Sequence, residues 1–523
     1  MSYESFENYQ YDSCTSRGIC SINPINSALQ TVLVLYLRLF SKFAKDIEIE
    51  DKTRAFVLNT VAITIYNLEF NENSFLFAVE NFKAELPRIM ELFAENNPEN
   101  NLDDEKEKAL ELFNETSELI SAIKFGEKIY NRALQKLPSE IRDLYSIMLV
   151  IAKSLSINLL DYESYEKKDS KAFSMILNLF SNINLVSVDA EALKNEILEA
   201  SKIDNDLMRQ IRESQEERYG KQVANEVSYT TSPNKAVLVV GSNIRELEIV
   251  LEALKYENID VYTHDEMMLA HTFPKFEEYP NLKGQFGQGL ENCLLDFATF
   301  PGPIILTKHS LHNIENFYRG LLFTTDYITS PKGIIKIDNN DFSKVVSSAE
   351  EAKGFKTGRQ CESVIIGYDF DAKTAEIKMK LENEKYKRIF IIGLDGYSLE
   401  QRAYFEKLLK LIPQDCLIIS FSYNLERENI VFINTCFDNY SWVKIFEYCT
   451  KFNLPIELFV PKCEKNTISQ LVYLSQFENV NIYLGKCTPI ILNPTLLITL
   501  LEKFSINSIT SAKKDLEEIL KDK

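Results

Sequence analysis

No run of this chain reaches the roughly 18 consecutive apolar residues that a membrane-spanning helix needs. The best candidate, Ala28–Phe40, is too short and reads as a buried helix. The first residues, MSYESFENYQYD, lack both a basic and an apolar stretch, so a secretory signal is not expected and the expected compartment is the cytoplasm. Positive charge is in deficit: the formal net charge is −19. That excludes nucleic acid and anionic membranes as expected partners. The nine cysteines are odd in number and come without a signal segment, which argues against a disulfide framework. There is one tryptophan, Trp442. Lys, Ile, Asn, Phe and Tyr are abundant, a bias that fits an AT-rich, anaerobic bacterial genome.

Several motifs are missing as well. There is no P-loop and no GxSxG. GQFGQG, residues 284–289, lacks the strand–helix frame that dinucleotide binding requires. The four histidines, His264, His271, His309 and His312, share one window but have no HExxH spacing, so a zinc site is not expected.

What is present is an ordinary globular composition. The chain has 523 residues, 45% hydrophobic and 26% charged, enough for two to four domains. Residues 24–230 read helical. In EKEKALELFNETSELISAIKF, Leu110, Phe113 and Ile120 share a stripe at helical spacing, and Leu112, Leu119 and Ile123 share the next. Breaks are expected at Asn96–Asn101 and near Asp161–Ser170, with a linker at Tyr229–Asn234. Beyond it, short apolar runs alternate with helical stretches: Lys235–Val240, Asp260–Thr263, Pro303–Thr307, Arg388–Ile392, Cys416–Ser420, Val431–Asn434, Ile456–Val460 and Val480–Leu484. The expected fold is α + α/β multidomain. A helical bundle domain over residues 1–232 precedes two Rossmann-like α/β domains with mainly parallel sheets, over 233–356 and 357–523.

In such sheets the loops after the strands hold the site. The stretch Val261–Gly289, VYTHDEMMLAHTFPKFEEYPNLKGQFGQG, and the later DFATFPGP resemble the hybrid cluster protein, or hydroxylamine reductase, family. The resemblance runs from about Val237 to the end. It implies iron–sulfur–oxygen cluster ligands just after the strands, and most of those positions are changed here. Ser242 stands where a histidine is implied, Ser310 and Leu394 where cysteines are, and Phe421–Asn424 supplies no cysteine. Glu266 and Cys436 are kept, Lys465 is kept, and Cys463 takes the place of a glutamate. Cys14 and Cys20 match half of an N-terminal four-cysteine cluster motif whose other half is absent. Hydroxyl and alkyl groups are poor substitutes for thiolate and imidazole.

The leading expectation is therefore a catalytically inactive, cluster-free relative without cofactor or metal. It would act as a structural, self-associating protein, a homo-oligomer or ordered array, of storage or sporulation-associated type in an anaerobic Firmicute. Leu394 and Phe421 predict a vacated site that has collapsed and packed. The alternative is a metal-dependent reductase of hydroxylamine or nitric oxide, with a remodelled site from Glu266, Cys436, Cys463 and Lys465 together with His264 or His309. A further alternative is a regulatory partner of an active paralogue.

Overall fold

The computed structural model describes residues 24–521 apart from 64–71, 133–135, 184–188, 288–292, 309–320, 326–333, 384, 394–398, 422–424, 436–439, 461–465 and 486–493. The fold is α + α/β multidomain. Eight helices from Pro24–Ala44 to Ala190–Tyr219 come first among the described residues, followed by alternating strands and helices.

Ala28–Phe40 lies within helix Pro24–Ala44 and is largely buried; Ser139–Ser164 is a longer apolar helix. It is the one described helix long and apolar enough to span a bilayer, and 94% of its apolar window is buried inside the protein. The sequence EKEKALELFNETSELISAIKF is two helices, Asp103–Glu115 and Leu119–Arg132. Thr116 ends the first, its Oγ1 donating to Leu112 O at 2.7 Å and lying 2.7 Å from the Tyr36 hydroxyl. Leu110 and Ile120 are 60% and 65% exposed while Leu112 is buried. The continuous stripe expected across that segment does not form.

The strands are β1 (Asn225–Ser228), β2 (Lys235–Val240), β3 (Ile259–His264), β4 (Leu282–Gln285), β5 (Ile304–Leu306), β6 (Leu322–Thr324), β7 (Ile334–Lys336), β8 (Ser363–Ile366), β9 (Arg388–Ile392), β10 (Cys416–Ser420), β11 (Ile430–Phe432), β12 (Ile456–Val460), β13 (Val480–Leu484) and β14 (Ile506–Ser508). One six-stranded sheet has the order β4-β3-β2-β5-β6-β7 and the other β11-β10-β9-β12-β13-β14. All pairings within both are parallel. Numbered within each sheet, both read 3-2-1-4-5-6, the doubly wound order. Strand order reverses between β2 and β5 in one and between β9 and β12 in the other, and the crevice at such a reversal is where ligands bind.

Parallel strands covered on both faces need continuous apolar runs, and KAVLVV and CLIIS supply them. The first sheet has its own core on each face. One face of the second sheet, through Ile389, Ile391, Leu417 and Leu458, joins the core of the helical region without a break. Two connections cross between these parts, and they pair with each other. β1 and β8 form an antiparallel ribbon, extended by a bridge from Thr231 to Arg359.

Candidate active site at the carboxyl ends of the two sheets

At the first reversal, β2 ends in Gly241, whose φ of 125° is a region side chains disfavour. Ser242 follows and is exposed. Asn243 is buried and caps the next helix, its Oδ1 accepting from Glu246 N at 3.0 Å. Its Nδ2 donates to Asp161 Oδ1 at 3.1 Å. Glu246 is 5% exposed and well supplied with donors. Lys308 N lies 2.9 Å and Thr325 Oγ1 2.5 Å from its Oε2, and Lys308 Nζ lies 3.0 Å from its Oε1. Lys308 follows β5 and Thr325 follows β6, so three strand ends converge on one carboxylate. Asp161, from the end of helix Ser139–Ser164, has no such ion pair among the described residues. Burial first, and the charge of Glu246 second, lift its carboxyl to about 7 against the pull of Lys308.

At the end of β3, His264 is fully buried. Its Nε2 lies 3.0 Å from Asp296 Oδ2, and its Nδ1 has no hydrogen-bond partner among the described residues. Asp265 takes the left-handed region at φ 59°, which turns the chain so that half-buried Glu266 enters a 3₁₀ segment. Gln285 braces this turn with its amide oriented to donate to Thr263 O and accept from Asp265 N, both at 3.0 Å. His271 lies back under the sheet, its Nε2 2.9 Å from Thr263 Oγ1. Burial pushes it down to about 4, so it is neutral at physiological pH. His264 and His271 turn to different partners, and no cluster of three or more histidine, cysteine or carboxylate groups suited to a metal occurs among the described residues.

The second reversal is built from the same long helix. Ser154 Oγ lies 2.6 Å from Asp204 Oδ2 and 2.7 Å from Asn466 Oδ1. Asn158 Nδ2 donates to Asp204 Oδ1 at 2.8 Å. Asn466 precedes helix Thr467–Leu474 and follows the loop after β12. Ser154, Asn158 and Asp161 stand at i, i+4 and i+7, one face of one helix. That polar stripe crosses the carboxyl ends of both sheets.

Of the positions singled out in the sequence, Ser242, His264, Glu266, His271 and Phe421 are described. Ser242 and Glu266 both sit at carboxyl ends of the first sheet. Phe421 is 2% exposed and packed in the main core, as an apolar replacement would be. Cys14, Cys20, Ser310, Leu394, Cys436, Cys463 and Lys465, with His309 and His312, lie outside the described residues. Asp161, Asp204, Glu246 and Lys308 were not read from the sequence. A signal that would have found the first is the spacing of polar residues within an otherwise apolar helix.

A hydroxylamine reductase of Thermodesulfovibrio yellowstonii is 24% identical over 545 aligned residues, covering 97% of this chain and 98% of its own length. One of Methanocella arvoryzae is 23% identical over 546 residues, covering 99% of each. One of Acidiphilium cryptum is 25% identical over 531 residues, covering 96% and 95%. Among solved structures, the alpha subunit of acetyl-CoA synthase/carbon monoxide dehydrogenase, with its NiZn and NiNi iron–sulfur clusters, gives a TM-score of 0.45 at 10% identity. It covers 96% of this chain and 83% of its own. That is a loose likeness of shape.

These relatives overturn the expectation of a catalytically inactive structural protein. Full-length similarity to proteins named for a reductase points to an enzyme, and nothing in it points to storage or array formation. The expectation of lost iron–sulfur clusters falls with it. Counting substituted ligands at Ser242, Ser310, Leu394 and Cys463 assumed that no neighbouring donor takes their place, and a metal site is defined by donors in space, not by sequence position. The sequence profile of the Prismane/CO dehydrogenase family matches residues 9–517, nearly the whole chain, and the protein belongs to that family.

Proposed function

We propose that this protein is a metal-dependent reductase of hydroxylamine or nitric oxide, working through an iron-bearing site rebuilt at the carboxyl ends of its two parallel sheets. The observation that carries this reading is the similarity, over 96% or more of the chain, to proteins named hydroxylamine reductase. The doubly wound strand order supports the location, because it opens a crevice at each reversal.

The donor types fit iron in part. Glu266, Cys436 and Cys463 offer a carboxylate and two thiolates, which iron accepts. The buried, unpartnered Nδ1 of His264 stands two residues from Glu266. Ser242, Ser310 and Leu394 supply neither thiolate nor imidazole. The set suits a centre with fewer protein ligands than the seven positions compared along the chain. When bound, such a centre supplies electrons to the substrate. The protein's own residues shape and charge the crevice. Lys308 and Glu246 fix the loop after β5, the turn at Asp265 orients Glu266, and helix Ser139–Ser164 covers both strand ends. We place the protein in the cytoplasm as a homo-oligomer, without nucleic acid or membrane partners.

The test is iron and acid-labile sulfide per chain on protein purified without oxygen from iron-supplied cells, with hydroxylamine-dependent oxidation of a reduced viologen. Bound iron with turnover is expected. A folded protein with neither would end this reading.

A further inference from the structure

We propose that Asp161 is the proton reservoir of the site at the first sheet reversal. This rests on the reductase reading. The geometry separates two carboxyl groups by their donors. Glu246 receives a backbone amide and an ammonium from Lys308 and a hydroxyl from Thr325, from two strand ends, and that set stabilises a carboxylate. Asp161, among the described residues, receives one neutral amide N–H from Asn243. Two carboxyl groups facing each other in a desolvated crevice do not both ionise readily, and the one without a cation keeps the proton. Asn243 links them, accepting from Glu246 N through one end of its amide and donating to Asp161 through the other.

The groups facing Asp161 are Glu246 and Lys308 from the sheet side and Tyr165 from its own helix end. Lys308 is committed to Glu246, and burial beside Asp161 raises the Tyr165 hydroxyl well above its ordinary range. The Tyr165 hydroxyl is therefore no proton source near neutrality. Asp161, lifted to about 7, is one.

Reductive cleavage of hydroxylamine breaks the N–O bond. It takes two electrons, from two reduced viologens in the assay, and two protons. One proton leaves with the oxygen as water and the other stays on nitrogen as ammonia. Asp161 releases one of these protons to the crevice, is left as carboxylate, and regains a proton from solvent.

The test pairs kinetics with spectroscopy on the full chain. Wild type, Asp161→Asn and Asp161→Glu are assayed for hydroxylamine turnover across pH. Asp161→Asn should lose about 100-fold in kcat with little change in KM, the usual size of a lost general acid. It should also lose the alkaline limb near neutrality, and Asp161→Glu should restore that limb. A variant with wild-type rate and profile overturns the proposal, as does a slowed variant whose profile is unchanged. Infrared difference titration needs no turnover. A protonated carboxyl band that disappears through pH 7 in wild type and is missing from Asp161→Asn is expected, and its absence from wild type overturns the proposal. That band in a protein without hydroxylamine turnover would overturn the reductase reading and confine Asp161 to holding the proton.

Discussion

Asp204 is a carboxyl group with no ion pair among the described residues. It is fully buried, and its partners are the neutral side chains of Ser154 and Asn158. Ser154 has one hydroxyl hydrogen and faces two acceptors, Asp204 Oδ2 and Asn466 Oδ1. A proton on Asp204 resolves the conflict: the acid donates to Ser154, which donates to Asn466. Burial raises the carboxyl from 3.8 to about 6 against the pull of its hydrogen bonds. The sign follows from linkage. A raised pKa gives stability that is full below pH 3.8 and lost as pH rises through about 6. A shift of that size is worth about 3 kcal/mol. In urea melts across this window, Asp204→Asn should gain on wild type as pH rises. A constant difference between the two would show that Asp204 does not titrate there. Glu457 makes the opposite case, a buried carboxylate paired with Arg388 and accepting from Asn481 and Tyr483. Glu457→Gln should destabilise the protein in a denaturant melt, since it removes a buried ion pair with Arg388.

The elements differ in how openly the sequence declares them. β2, β9, β10, β12 and β13 are predominantly apolar runs, as parallel strands covered on both faces favour, with Glu457 in β12 and Asn481 in β13 as polar exceptions. β5, β6, β7 and β14 are three residues each, too short for any period to emerge. Of these β5 alone was legible, from the run at Pro303–Thr307. β1 and β8 are partly exposed and are set by their pairing with each other, a contact distant in sequence. At the site, the loops after the strands were legible as places and Glu266 as a residue. Asp161, Asp204 and Glu246 were not, because their meaning comes from partners 46 to 82 residues away. Thr116 shows the same limit within one segment, where a side chain ends a helix that the apolar spacing would continue. An element-scale prediction concerns Asn243. Asn243→Ala removes the cap of helix Ile244–Ala253 and the donor to Asp161 together. It should cost about 1–2 kcal/mol in thermal melts. A loss of a few tenths would mean that water replaces both bonds.

Across the whole molecule, charge and connectivity set the behaviour. A net charge of −19 on 523 residues repels itself, and the ion pairs at the surface offset this only locally. Neutral salt should therefore raise the melting temperature between low and physiological ionic strength, where the screening length falls from about 30 Å to about 8 Å. A melting temperature that falls over that range would mean that favourable pairs outweigh the net repulsion. The continuous core from the helical region into the second sheet implies that these two parts unfold together, while the first sheet, with cores of its own, has the means to open separately.

The ribbon of β1 and β8 gives that first sheet one gateway. Its entering and leaving strands lie side by side, zipped from Asn225–Ile366 to Ser228–Ser363, with Gly367 fitted so closely that a Cβ there would come within 2.3 Å of Val223 O. A protease that nicks one of these strands leaves its cut end held by the other. The middle of the chain would stay in place after a single cleavage, as a gate hung on two hinges does after losing one pin, and would come away only when both strands are severed.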